Sequence, residues 1–281
     1  MTAFQKLIKI AALVFAVFLA VSIITGIVGG VFTAGMVISK VCDKIDENNN
    51  PYKSADAVEW HSKKLSGSFD EIDCDLRFSD IDIKIGDGFE VRYQNPKLSV
   101  KTDGSAIKID EPDGLSPHSF SYDIEVIVPE GTELEKISVS SSAGGISADS
   151  VKTQYLDVDC DAGLFSASAV FVAKTAKVEL DAGSITVKSG SFGKIEGSVS
   201  AGTITFTGEV TEKGEFSSDA GSIYVTLCGN RDSYHVDAES SFSSVTIDGR
   251  KTERRSETGF GDVDIEIDAS AGRIEVGFDG R

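Results

Sequence analysis

The residues best suited to chemistry in this chain are carboxylates. Asp161, Asp181 and Asp219 each precede an Ala-Gly pair, and Asp262, Asp264, Glu266 and Asp268 alternate along one segment. Clustered carboxylates hold Ca2+ through oxygen, or cleave a glycosidic bond when they converge on it. The first set is incomplete as a column, because Ser142 and Ser200 stand at the equivalent positions. Aspartate or serine there also begins a tight turn, its side chain bonding a nearby backbone N–H, and the turn is the stronger reading. The histidines His61, His118 and His235 are far apart and none has a partner at ligand spacing, so they read as surface residues. No nucleophile elbow, zinc-protease helix, phosphate loop or dinucleotide fingerprint is present. Of the four cysteines (Cys42, Cys74, Cys160 and Cys228), Cys74 and Cys160 fall on apolar alternations and read as core thiols. The sequence therefore predicts no catalytic residue and no cofactor, and leaves metal binding open.

One basic cluster interrupts an otherwise acidic chain. Arg250, Lys251, Arg254 and Arg255 lie in "GRKTERR", whereas the formal net charge of the 281 residues is −18. A surface this acidic repels nucleic acid and anionic lipid, so no nucleic-acid partner is expected. The cluster is the one place for contact with an anionic wall polymer. A solvated loop with an internal Glu253–Arg255 pair is the simpler alternative.

The elements that would position such residues are written in a repeat. Ala-Gly pairs end at Gly144, Gly163, Gly183, Gly202 and Gly221, in steps of 19, 20, 19 and 19 residues. Two residues after each glycine stands Ile146, Phe165, Ile185, Ile204 or Ile223, and two further on Ala148, Ala167, Val187, Phe206 or Val225. Periods of this length mark a solenoid whose repeats bury their apolar side only against neighbours. Within each repeat the period is two, as in "SITVK" and "TITFT", so the units are strands. Alternating segments also precede the pairs, as in Leu156-Val158-Cys160. Each coil then reads as strand, Ala-Gly corner, strand and return loop, with glycine permitting close approach and alanine filling a narrow stack position. The register continues loosely through Val245/Ile247, Val263/Ile265 and Ile274/Val276. The expected fold is an all-β parallel β-solenoid over 66–281, with irregular first coils at 66–130, where a separate β-sandwich is the alternative, and regular coils at 131–281. A terminal coil near Arg273–Phe278 would expose an unpaired edge unless capped.

The N-terminal region differs in kind. Residues 10–39 carry no charge and are long enough to cross a hydrocarbon core of about 30 Å as one helix. Lys6 and Lys9 precede the run, which predicts an uncleaved anchor over 1–39 with the C-terminal domain outside the cytoplasm. Residues 40–65, with Asn48-Asn49-Asn50-Pro51, read as a linker holding a short helix around Ala55–Trp60.

Three phrases carry a family resemblance: "FDEIDCDLRFSDIDIKIGD", the bridge "YDIEVIVPEGTELEKISVSSSAGGI", and the series "LDVDCDAGLF", "VELDAGSITV", "GSVSAGTITF". Over roughly residues 66–276 the chain resembles the bacterial "putative adhesin" family of β-strand-repeat proteins, many with one N-terminal membrane helix. The resemblance implies a right-handed parallel β-helix in the cell envelope and carries over no functional residue. The predicted role is non-enzymatic: a single-pass, membrane-held adhesin or recognition protein for wall polymer, glycan or another envelope protein. The alternatives are an envelope scaffold or stress sensor that binds a membrane protein, and a degenerate polysaccharide-active enzyme.

Overall fold

The computed structural model describes residues 59–112, 122–252 and 254–280. The expected anchor (10–39) and most of the expected linker lie outside them. Among the described residues no helix is long and apolar enough to cross a membrane. Residues 59–281 form one compact unit.

Its first part holds β1 (His61–Lys64), β2 (Glu71–Leu76), β3 (Asp80–Gly86), β4 (Glu90–Tyr93), β5 (Ser99–Asp103), β6 (Ala106–Asp110) and β7 (Asp123–Pro129). The middle is four long strands: β8 (Glu133–Asp149), β9 (Lys152–Ser168), β10 (Val170–Val187) and β11 (Gly190–Cys228). The last part holds β12 (Tyr234–Ser240), β13 (Val245–Ile247), β14 (Arg250–Thr252), β15 (Arg255–Thr258), β16 (Val263–Ala271) and β17 (Ile274–Asp279). Strand β1 falls inside the stretch expected as linker, which corrects that boundary. It pairs antiparallel with β4, through His61 opposite Tyr93.

The middle strands stack in parallel and in register. Ala143, Ala162, Ala182 and Ala201 lie side by side, as do Ile146, Phe165, Ile185 and Ile204. Strand β11 is long enough to supply two layers, and its second half brings Gly221 onto Gly202 and Ile223 into the same file. The inward phase flips at each Ala-Gly pair. Leu156, Val158 and Cys160 are buried before it, and Phe165 and Ala167 after it. That flip is how one continuous strand turns its apolar side to the core on both arms of the bend. The alanines themselves are exposed or half-buried, so they face outward rather than filling the stack.

At both ends the stacking order departs from the chain order. β2 and β3 lie on β8 in parallel, and β6 and β7 lie outside them on β2 and β3. At the other end β16 and β17 lie directly on β11, while the earlier β12 and β13 lie outside them. The core file therefore runs Ile124, Ile81, Ile146, Phe165, Ile185, Ile204, Ile223, Ile274, Val245, all buried. Val263 and Ile265 belong to the other arm, Ile265 lying opposite Gly214, which corrects their expected register. The segment 273–278 is interior, not the terminal edge. Antiparallel strands cover the outer layers: β4 and β5 at one end, β14 and β15 at the other. The short antiparallel strands β5, β14 and β15 become edges of the stack, and a short edge strand is a poorer template for another chain than a long one.

Large and small residues interlock inside. Phe206 packs between Phe192 and Phe216, with ring centroids 5.6 and 5.1 Å apart. Gly197 leaves room for Phe216, since a β-carbon there would lie 3.3 Å from its ring. Burying each such ring contributes about 1.5–3 kcal/mol.

Candidate binding surfaces

Outward-facing residues on this scaffold form files along the stack, spaced about 4.8 Å per layer. Beyond the corner, one file runs Glu125, Asp82, Ser147, Ser166, Thr186, Thr205. Tyr224, Glu275 and Thr246 continue the line, so the hydroxyl column is broken where the end layers begin.

The acidic end of this file borders a groove of about 360 Å3, lined by Trp60, Leu164, Ser147, Ser166 and the carboxylates of Asp80, Asp82, Asp123 and Glu125. Trp60 is 45 % and Leu164 59 % exposed. Leu164 stands where β8 carries Gly145 and β10 Ser184, so the apolar side chain is a local departure from the repeat. The groove floor is held in place. Asp80 accepts the N–H of Gly145, and Asp82 accepts the hydroxyl of Ser147 at 2.6 Å. Lys84 bridges Glu125 at 2.8 Å and Asp82 at 3.1 Å, and its ammonium pKa is raised, chiefly by the hydrogen bond to Glu125.

Before the corner, the outward files are more acidic toward the C-terminal end. Glu196, Glu215, Glu266 and Asp237 are neighbours in one file, with Glu179, Asp268 and Glu239 beside them. Lys213 holds Glu215 at 2.6 Å and Glu266 at 3.2 Å, and Arg255 binds Asp237 through two contacts of 3.0 and 2.6 Å. Burial, then the charges of Glu239, Asp237 and Glu266, raise the pKa of Asp268. Among the described residues no group of three or more His, Cys, Asp or Glu side chains is arranged to hold a metal ion. Asp161, Asp181 and Asp219 are exposed beside their alanines, and among the described residues none belongs to a metal-holding group.

His235 has partners that sequence spacing did not reveal. Its Nδ1 lies 3.0 Å from Asp264 of β16 and its Nε2 3.1 Å from Glu257 of β15. The hydrogen bond to Asp264, then that to Glu257, raises its pKa. His61 packs on Tyr93, and His118 lies outside the described residues.

The basic cluster is not a loop. Arg250 and Lys251 lie on β14 and Arg255 on β15, the antiparallel strands that cover the last layer. Arg255 is bound by Asp237, which removes it from the polyanion set. Arg250, Lys251 and Arg254 form no ion pair among the described residues. Lys251 and Arg254 share a hollow with Phe242.

At the opposite end a buried carboxylate closes the corner. Glu111 accepts the backbone N–H of Arg77 at 2.7 Å and of Phe78 at 3.0 Å, and the hydroxyl of Ser79 at 2.7 Å. Burial alone would push its pKa up; these hydrogen bonds outweigh that and hold it below the usual range.

The family described as Toastrack DUF4097 has a model that matches residues 58–277. No curated protein matches the chain. Solved structures similar to it include a "putative cell adhesion protein" from Clostridium sporogenes, at 13 % identity over 79 % of this chain and 99 % of that one, with a TM-score of 0.38. A "putative adhesin" from Parabacteroides distasonis is 15 % identical over 78 % and 98 %, with a TM-score of 0.41. A "putative lipid binding protein" from the same species is 16 % identical over 77 % and 96 %, with a TM-score of 0.33.

Proposed function

We propose, from the premise that the chain belongs to the Toastrack DUF4097 family, that it is a non-enzymatic recognition protein of the bacterial envelope. In this reading residues 10–39 anchor it in the cell membrane as a single pass, and the β-solenoid stands outside the cytoplasm. The observation that carries the reading is the groove between Trp60 and Leu164. An aromatic ring and an aliphatic side chain flank fixed carboxylates and hydroxyls there. That set suits a sugar ring, whose C–H face packs on apolar surface while its hydroxyls donate to carboxylate oxygens. The ligand class is therefore an envelope glycan.

The test uses residues 59–281, which carry their own core and their own edge strands. Binding to isolated wall glycans is measured for this unit and for Trp60→Ala and Leu164→Ser. Both substitutions lie on exposed surface, so each should lower affinity about tenfold or more without changing the melting temperature. Glycan binding that both variants retain, or release of cleaved sugar, would reject the reading.

A further inference from the structure

The last layer of the stack differs in chemistry from the sides. Phe242 is 85 % exposed, in the bend that follows β12. That bend is fixed: the N–H of Ser243 donates to the hydroxyl of Ser240, whose own N–H donates to the carbonyl of Arg254. Lys251 and Arg254 flank Phe242 across one hollow, and Arg250 is exposed on the same covering strand as Lys251. An exposed aromatic ring thus stands among three cations that form no ion pair among the described residues, on a chain whose formal charge is −18.

We infer that this end of the solenoid docks on an anionic lipid surface, with Phe242 entering the headgroup layer and Arg250, Lys251 and Arg254 meeting lipid phosphates. Two features favour lipid over a soluble polyanion. A soluble polyanion covers at most one face of a phenyl ring, whereas the bilayer interface takes in the whole side chain. The acidic sides are repelled by an anionic membrane, so the cationic end is the part that can approach it. A second exposed aromatic, Phe260, shows what the patch is not. It lies between Gly259 and Gly261, which pack against the backbone of Ser233 and Tyr234, and its neighbours Glu257 and Asp262 are acidic.

The experiment is vesicle flotation with residues 59–281, using phosphatidylcholine vesicles with and without phosphatidylglycerol. The unit should float only with the anionic vesicles, and less as salt rises. Phe242→Ser and the double change Lys251→Glu/Arg254→Glu should each lower the bound fraction about tenfold or more, while Phe260→Ser leaves it unchanged. Heparin binding serves as the soluble-polyanion arm, and sedimentation without lipid as the self-association arm. The inference is overturned by absence of flotation, by flotation that survives Phe242→Ser, by heparin binding as tight as vesicle binding, or by a dimer that Phe242→Ser dissolves.

Discussion

A β-carbon placed on Gly202 would lie 1.7 Å from the carbonyl oxygen of Gly183. The same contact recurs from Gly183 to Gly163 and from Gly221 to Gly202, so the corners press backbone on backbone through the stack. Gly202 also has φ +153°, a region that side chains disfavour.

Gly202→Ala is therefore expected to destabilise the unit by about 3 kcal/mol or more, because the obstacle is the backbone of Gly183, which cannot rotate away as a side chain can. Gly277→Ala, where added atoms meet open space, should stay within about 1 kcal/mol of wild type. Urea midpoints of the two variants check the contrast.

Glu111 gives a prediction with a definite sign. Its folded pKa is lowered relative to an unfolded value of about 4.3. The stability it contributes is fully present above the unfolded value and is lost as pH falls through the folded one. Glu111→Gln turns one acceptor into a donor facing N–H groups and should cost about 1–3 kcal/mol at pH 7. The variant should also lose part of the acid-side slope in urea titrations.

His235 runs in the opposite direction. Both ring nitrogens face carboxylate oxygens, and only the imidazolium donates from both. Its folded pKa is raised, so the link between β15 and β16 is complete below about 6.5 and is lost as pH rises through the folded value. Hydrogen exchange in β15 should accelerate above that point beyond its intrinsic pH dependence. His235→Gln should abolish the extra acceleration; an identical profile in the variant would remove the histidine from the link.

The thiols supply a probe of unfolding. Burial, then the charges of Asp73 and Asp110, pushes the Cys74 thiol pKa far up, and burial likewise raises that of Cys160. Neither should react with a thiol reagent at pH 8 in the folded unit, and both should react in urea. Half-buried Cys228 is expected to react first.

The middle of the fold could be read from the sequence because its repeat is local. The Ala-Gly phrases fix which residues meet, and the phase flip between Cys160 and Phe165 marks the bend. Ala271-Gly272 is a sixth such phrase, with a β-carbon on Gly272 clashing with Gly221. It breaks the 19–20-residue step, since β12 to β15 intervene before it, and so carries no periodic signal. The partners of His235 and Arg255 were hidden for the same reason: they come from strands brought together by the exchanged layers and an antiparallel return. The Trp60–Leu164 groove has no periodic signal, since Leu164 is a single deviation and Trp60 precedes the first strand. The "GRKTERR" charge pattern was visible, but its role as an edge cover depends on pairing that composition does not encode.

The placement of β16 and β17 between β11 and β12–β13 has a consequence for biosynthesis. During elongation, β12 to β15 emerge first but cannot occupy their final layer, because the layer that supports them is still being made. This end of the molecule can close only once residues up to about 279 have left the ribosome or translocon. A ribosome that stalls before then yields a chain with its middle coils competent to fold and its distal hairpin unsupported, a ready substrate for quality-control proteases.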